Sequence, residues 1–552
     1  MHLPIDSVRA SARQHVIASR VAPVLVFVLL LATAFSVGFR TTRGLNWPGA
    51  DWGGVGIDLY RDISSAQTIL NEGYGPDPTY RGERNWYNPL TPSVSAVVSR
   101  LSGAPVHVVV TRLGTYANLL APLTLFLMCA ALWDRWTAAS AVAGFLFLSP
   151  NELPSYLAAT YSPWFLPVNF VQAIFYLAVL AFWYACRRNR PWGFVIVGLS
   201  WGALLLGHTA PALMFGGMVV IWAVMEGRAR TRMTNGLTSG TVLLRFGTMV
   251  AVALLVSSPF VALILGHYHL HIQNTEPTAF SAYLLSRGLP DLVLIHLTVP
   301  MAVAALGFRT VIRAPDTLSR RLLLSWMGVA AVFLVYSFAR LGAQLAEVVL
   351  PSIVPSFHFF FYLEAAGAVC FGIGLMTISR WVAARAALVG VGSMPVRIAV
   401  TSVLLIGLLV GAGFRRYLGR PDFFPARLDG RIAADSDSTR VAEWFRANAQ
   451  PEDVVLASDK DGITSVAVAG IKTVAVHGTF SNPYVALEPR RRARDAMLVA
   501  LGRGDQATYV ALARQYQVTY VLAHTVARIP SSMPDGLKPV FTSGPLAVYR
   551  IP

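Results

Sequence analysis

The sequence predicts a polytopic α-helical membrane protein with about eleven transmembrane helices, followed by a C-terminal α/β domain on the outer side of the membrane. Hydrophobic residues make up 55% of the 552 residues and charged residues only 13%, whereas soluble proteins carry about 25% charged residues. Charged residues are sparse through residue 414 and reach an ordinary density from residue 415 onward. A membrane part followed by a water-exposed domain explains this distribution.

Apolar segments of membrane-spanning length recur along the first three quarters of the chain. A helix that crosses about 30 Å of hydrocarbon needs about 20 apolar residues. The segments that meet or approach this length lie at 21–39, 113–133, 136–150, 165–185, 192–208, 210–226, 246–266, 289–308, 322–340, 357–378 and 397–414. The third is short, so it is either tilted or partly re-entrant.

Arginine runs between these segments indicate the orientation, because basic residues in short loops stay on the cytoplasmic side. If the N-terminal arginines are cytoplasmic, every later run between spans falls on that side as well. The net charge of +17 is spread over these loops, so we expect no nucleic-acid partner. The predicted division, in a plasma membrane, is a cytoplasmic N-terminus at 1–20, a transmembrane domain at 21–414 with an outer loop at 41–112, and an extracytoplasmic domain at 415–552.

The pattern of 415–552 predicts a compact mixed domain. Helical periodicity and short apolar runs predict helices within 439–449, 490–502 and 506–516, strands at 453–458 and 518–524, and a closing hairpin over 539–551.

The outer loop carries the acids that we regard as catalytic candidates. Apolar spacing over 57–72 predicts a helix that lies at the membrane interface, and 93–104 predicts a second one. Asp58 and Asp62 are one turn apart and would share a face of the first helix. A carboxylate at the edge of a low-dielectric layer can act as a base. The alternative for Asp58 is an N-cap, which needs no further function.

Basic and polar residues near the outer interface are candidates for binding a lipid phosphate. Arg81 and Arg84 lie in a run with aromatic residues and prolines, where they would either bind a phosphate or anchor anionic headgroups. His208, Arg340 and His358 fall at the outer ends of predicted spans. Their common depth favours one shared site, although an isolated histidine there is also explained by a headgroup contact. His267, His269 and His271 have a spacing that could bind a metal on a strand, but Glu276 is the one carboxylate close to them, so we predict no metal site.

These segments resemble the GT-C class of integral-membrane glycosyltransferases, which use polyprenyl-phosphate sugars, and the actinobacterial type in particular. The resemblance lies in the short basic N-terminus, the early loop acid in 56–62, the YNPLTP run at 87–92, the Leu-Gly-His-Thr run at 206–209 and the outer C-terminal domain. It implies an inverting transfer of a sugar to a cell-envelope glycan, lipid or protein, with membrane lipids around the enzyme.

The same resemblance implies roles for individual residues. Asp58 would be the catalytic base and Asp62 a second acid. Residues that would hold the donor phosphate are Arg61, Arg81, Arg84, His208, Arg340 and His358. Some branches of the class use a divalent cation and others do not, so the resemblance requires no cofactor. The loop departs from the class in lacking two adjacent acids.

Two other functions stay open from the sequence. A non-catalytic protein of the same fold would bind lipid-linked glycans or assist envelope assembly. A transporter or flippase would be expected to show internal repeats and charges near the midplane. The sequence has no clear two-half symmetry, and Glu364 is nearly alone as a deep charge.

Overall fold

The computed structural model describes most of the chain. The described residues are 17–48, 55–148, 158–228, 239–277, 298–348, 350–351, 357–386, 393–420, 423, 436–524 and 538–551.

A helix lies in each of the eleven predicted membrane segments, with residues 149–150 and 289–297 of two of them outside the described residues. In chain order, the helices of the membrane part and its outer loop are α1 (Ala22–Thr42), α2 (Val55–Glu72), α3 (Leu90–Ser102), α4 (Val106–Ala117), α5 (Leu120–Leu132), α6 (Arg135–Phe147), α7 (Pro167–Arg188), α8 (Pro191–Gly207), α9 (Thr209–Arg228), α10 (Ser239–Ala262), α11 (Val299–Arg313), α12 (Leu318–Leu345), α13 (Phe357–Ala386) and α14 (Met394–Leu418).

The protein is a multi-pass membrane protein. Among the described residues, eight helical segments are long and apolar enough to cross a bilayer, one of them formed by α4 and α5 together. Three of the predicted spans correspond to shorter helices: α6 with 13 residues, α8 with 17 and α11 with 15. Helix α6 is buried on nearly all of its residues, so it is an inner helix of the bundle.

Small residues bring the membrane helices close together. Helices α11 and α13 approach at Gly307 and Gly374, where an added Cβ atom would overlap the carbonyl oxygens of Cys370 and Val303, respectively. Membrane helices gain little from the hydrophobic effect when they associate, because lipid tails are as apolar as their side chains. They associate instead through close packing, which small residues allow. Helix α13 therefore occupies the interior of the bundle.

Helix α2, in the predicted outer loop, begins at Val55, two residues before the predicted start. It is buried between the membrane part and the C-terminal domain. Its apolar face, which includes Leu59 and Ile63, belongs to a core cluster with Val468 and Phe480 of the C-terminal domain. The helix prediction is confirmed. The C-terminal domain covers this helix. The amphipathic pattern of the helix does not predict that contact.

The C-terminal domain is a mixed α/β unit, as predicted. Its elements are α15 (Asp437–Asn448), β1 (Val454–Leu456), β2 (Lys472–Thr473), α16 (Leu487–Arg503), α17 (Gln506–Tyr516), β3 (Val518–His524), β4 (Pro539–Ser543) and β5 (Leu546–Arg550). The strand order is β2-β1-β3-β5-β4. Strand β1 pairs in parallel with β2 and β3, and β5 pairs antiparallel with β3 and β4. Strand β2 was not predicted, since two residues carry no periodicity.

Candidate functional site

Two carboxylates of α2 converge on one guanidinium. Arg61 Nη1 lies 3.1 Å from Asp58 Oδ1, and Arg61 Nε and Nη2 each lie 3.3 Å from Asp62 Oδ1. Three residues of separation bring Asp58 and Arg61 onto neighbouring positions of the helix surface. Asp58 lies inside the first turn of α2, three residues after Val55, so it is not placed as the N-cap of this helix.

The two carboxylates differ in their access to solvent. The Asp58 side chain is 30% exposed, whereas that of Asp62 is 2% exposed. Burial raises the pKa of Asp62 to about 7, although the charge of Arg61 acts in the opposite direction. The Oδ2 atom of Asp62 is buried and accepts no hydrogen bond from the described residues. Asp62 can therefore hold a proton near neutral pH, while Asp58 is accessible to a substrate.

Tyr87 forms a wall of the same site. The Arg61 guanidinium carbon lies 4.2 Å from the centre of the Tyr87 ring, a cation–π contact. The Tyr87 backbone N–H donates to Asn85 Oδ1 at 3.0 Å, which holds the loop in place. Burial raises the pKa of the Tyr87 hydroxyl above its ordinary value, so the hydroxyl stays neutral.

Two histidines at the ends of membrane helices lie side by side. His208 follows the last residue of α8, and His358 lies at the start of α13; their ring centres are 4.4 Å apart. His208 Nδ1 accepts the backbone N–H of Ala210 at 3.1 Å. His208 is also close enough to Arg61 for their charges to interact. Histidine side chains from α8 and α13 thus lie near the acidic cluster of α2.

A small cavity opens beside Arg61. The residues that line it come from α2, the loop that follows it and the C-terminal domain: Arg61, Ser64, Ser65, Pro78, Thr79, Trp86, Tyr87, Ile463 and Phe480. Tyr87 and Phe480 were not predicted as site residues from the sequence. Tyr87 could have been predicted from the aromatic residues that precede Pro89. Phe480 could not, because only tertiary folding brings it to the site.

Among the described residues, no hydrogen bond or ion pair joins the other three predicted phosphate-binding residues, Arg81, Arg84 and Arg340, to the acidic cluster. Arg81 and Arg84 are exposed. The backbone of Arg84 is fixed by the Tyr268 hydroxyl, which accepts its N–H at 2.9 Å and donates to its carbonyl at 2.6 Å. Arg340 lies half-buried in the last two turns of α12. Their role in binding a donor phosphate stays a prediction.

The acidic cluster is a poor fit for a resident divalent cation. Both carboxylates already contact Arg61, and a cation placed between them would face that positive charge. Across the described part of the chain, no group of three or more histidine, cysteine, aspartate and glutamate side chains is arranged to bind a metal. We therefore derive no step through a metal ion.

The chain matches no protein-family model, and no curated protein matches it. Solved structures do match. The apo structure of ArnT from Cupriavidus metallidurans superposes with a TM-score of 0.55 at 14% identity, over 95% of this chain and 97% of that chain. The structure of the same protein bound to undecaprenyl phosphate gives a TM-score of 0.54 at 15% identity, with the same coverage.

A third match is the arabinofuranosyltransferase AftD from Mycobacteria, with a TM-score of 0.49 at 13% identity, over 95% of this chain and 39% of that chain. The two ArnT structures share the present architecture over nearly their whole length. The fold is therefore that of the GT-C membrane proteins, with a small sheet domain at the C-terminus.

Proposed function

We propose that this protein is an inverting glycosyltransferase that moves a sugar from a polyprenyl-phosphate donor to an acceptor of the cell envelope. The observation that carries the proposal is the cluster of Asp58, Arg61 and Asp62, which lies beside His208 at the outer ends of the membrane helices. Support also comes from the fold, which this chain shares with a protein solved in complex with undecaprenyl phosphate.

Asp58 is the proposed catalytic base. It is the more exposed of the two carboxylates, so an acceptor hydroxyl can approach it. Asp58 takes the hydroxyl proton while the acceptor oxygen forms a bond to the anomeric carbon. The bond from that carbon to the phosphate oxygen breaks on the opposite face, and the phosphate leaves with the electron pair. Attack opposite to the leaving group inverts the configuration.

The departing phosphate needs positive charge and hydrogen-bond donors near it. Arg61, His208 and His358 supply them in our proposal, because His208 lies beside His358 and within reach of the charge of Arg61. Asp62 is a positioning residue, which holds the guanidinium of Arg61 through two hydrogen bonds. Arg81, Arg84 and Arg340 are proposed as further donor-binding residues on the basis of the sequence.

A lipid donor suits this location. Its tail can stay in the bilayer while its phosphate lies at the interface, where α2 meets the ends of the helices. In the proposed orientation the N-terminus is cytoplasmic and the C-terminal domain extracytoplasmic. The transferred sugar is a hexose or a pentose, and the acceptor is a glycan, a lipid or a protein.

The test is sugar transfer by the full-length protein reconstituted in vesicles. Radiolabelled polyprenyl-phosphate mannose, arabinose and glucose serve as donors, and wild type is compared with Asp58→Asn. We expect Asp58→Asn to lose at least about 100-fold of the rate, a common effect of removing a general base. Asp505→Asn is the matched control, because Asp505 caps α17 and asparagine caps helices equally well.

The outcomes separate the proposal from its alternatives. Full activity of Asp58→Asn would remove Asp58 as the base and turn attention to Asp62. Binding of a donor by wild type without any transfer would favour a non-catalytic protein. Movement of intact donor across the vesicle membrane without transfer would favour a flippase.

A further inference from the structure

An open cleft lies on the outer face, apart from the small cavity beside Arg61. It has a volume of about 460 Å³, and the C-terminal domain faces the segment after α10 and the loop after α2 across it. The lining residues that matter here are Glu83, Tyr268, Gln273, Tyr484, Arg490 and Tyr516. The cleft was not predicted from the sequence, and the residues of the acidic cluster do not line it.

The floor of the cleft is held by contacts between distant segments. The rings of Tyr268 and Tyr484 stack with centres 4.8 Å apart and planes 16° apart. Asn482 Nδ2 donates to the Tyr268 hydroxyl at 2.9 Å. Gln273 binds the opposite segment twice, from its backbone N–H to the Pro483 carbonyl at 2.8 Å and from Nε2 to the Tyr484 carbonyl at 3.0 Å. A cleft fixed in this way is preorganised for a ligand.

The lining favours a neutral, hydroxyl-rich ligand. Arg490 lies 3.6 Å from Glu83, so the cleft presents no unbalanced positive charge to a phosphate. Tyr268 covers one face of the Tyr484 ring, and the Arg490 guanidinium carbon lies 5.7 Å from the centre of the Tyr516 ring. The opposite, negatively polarised face of each ring can attract the positively polarised C–H groups on one face of a sugar ring. The carboxylate, amide and guanidinium groups supply the acceptors and donors that sugar hydroxyls need.

The cleft is joined to the proposed active site by one short segment. Glu83 lines the cleft, whereas Trp86 and Tyr87 line the cavity beside Arg61. Trp86 also packs against the apolar cluster that contains Tyr268, and Tyr484 packs there as well. Trp86 therefore connects the lining of the cleft with the lining of the cavity beside Arg61.

We propose that this cleft is a subsite for the acceptor, and that the acceptor is an oligosaccharide chain. Several sugar units lie along Tyr484 and Tyr516, and the end of the chain reaches the cavity beside Arg61. Binding in the cleft does not depend on the proposed transfer. Only the identification of the bound glycan as the acceptor rests on the proposed function.

The test measures binding and transfer separately on the full-length protein in detergent. Isothermal titration with mannohexaose, arabinohexaose and glucohexaose is performed on wild type, Tyr484→Ala, Tyr516→Ala and the control Asp505→Asn. We expect one hexaose to bind wild type and Asp505→Asn equally, and each tyrosine-to-alanine variant about tenfold more weakly. Tyr516 is the last residue of α17, so its removal leaves the Tyr268–Tyr484 stack intact.

Two control variants show whether an effect is specific to the cleft and to the tyrosine ring. Tyr549→Ala changes a half-buried tyrosine of the same domain outside the cleft and should bind as wild type does. Tyr484→Phe keeps the ring and should retain most of the affinity. In transfer assays the cleft variants should raise KM for the acceptor and leave KM for the donor unchanged.

Three results would overturn the proposal: no saturable binding of any hexaose, binding that the cleft variants leave unchanged, or a cleft that binds a peptide acceptor in place of the hexaoses. If a hexaose binds in the cleft and wild type transfers no sugar, the cleft proposal stands and the proposed function fails. If transfer occurs and the cleft variants leave acceptor binding unaltered, the reverse holds.

Discussion

The guanidinium carbon of Arg61 lies 4.2 Å from the ring centre of Tyr87, and this contact joins α2 to the loop that leads into α3. The guanidinium carbon lies over the ring while the guanidinium nitrogens contact two carboxylates. The orientation of Arg61 is thus fixed from two directions, which is the condition for a cation that must meet a phosphate at one defined place.

Replacing Arg61 with lysine should reduce transfer about tenfold or more. Lysine keeps the charge but lacks the planar group that contacts both carboxylates and stacks on an aromatic ring. Tyr87→Leu should have a smaller effect in the same direction, because a cation–π contact contributes about 0.5–2 kcal/mol. The measurement is kcat and KM for the donor in reconstituted vesicles.

Tyr87→Phe is the matched control for that pair of variants. It retains the ring face, so we expect activity within about twofold of wild type. A large loss in Tyr87→Phe would show that the hydroxyl has a role of its own and that the stacking argument is incomplete.

The free energy of unfolding should decrease as the pH rises from about 4 to about 7, because of Asp62. Burial raises the pKa of this carboxyl from 3.8 to about 7 in the folded state. Over that interval the folded state keeps the proton while the unfolded state releases it, so rising pH favours unfolding. The slope is on the order of 1 kcal/mol per pH unit. Above pH 7 both states are ionised, and this contribution no longer changes.

Asp62→Asn should flatten this pH dependence, since asparagine resembles the protonated acid and does not titrate. The midpoint of thermal unfolding, measured from pH 4.5 to pH 8 in detergent, reports the difference. Ser65→Ala is the control, because Ser65 is a buried, non-titrating residue of the same helix. An unchanged slope in Asp62→Asn would show that this carboxyl is ionised in the folded protein across the whole range.

The helices and strands could largely be predicted from the sequence, because a span or a strand is encoded in neighbouring residues. The site could be predicted only in part. Asp58 and Asp62 lie on one helix, and their shared face follows from their spacing. The contact between His208 and His358 and the entry of Phe480 into the cavity depend on residues far apart in the chain, whose pairing no local pattern records.

Lys472 is one of the residues that attach the C-terminal domain to the loop after α2. This lysine is 3% exposed and contacts Glu72 Oε1 at 2.5 Å and the Asp77 carbonyl at 3.0 Å. Lys472→Met should lower the unfolding midpoint by several degrees, because it removes both of these hydrogen bonds at a cost of about 1–3 kcal/mol. Thermal unfolding of the full-length protein measures this change.

The double variant Lys472→Met/Glu72→Gln tests the cause. Removing the charge of Glu72, whose side chain is 23% exposed, should recover only about 0–1 kcal/mol of the lost stability, since water solvates the unpaired carboxylate. Equal instability of the single and double variants would instead assign the effect to the Asp77 contact or to packing.

Gly307→Ala should destabilise the membrane domain, because α11 and α13 have no room for a methyl group at this position. The added Cβ would overlap the carbonyl of Cys370, so the helices must separate, at a cost of about 1–3 kcal/mol. Gly367→Ala on α13 is the matched control. Apart from its chain neighbours and its own helix backbone, no heavy atom of the described residues lies within 4 Å of the Cβ position there, and alanine favours a helix more than glycine does. We expect Gly307→Ala to lower the unfolding midpoint and the yield of folded protein, and Gly367→Ala to match or exceed wild type in both. Wild-type stability of Gly307→Ala would mean that α11 and α13 do not pack closely at this glycine.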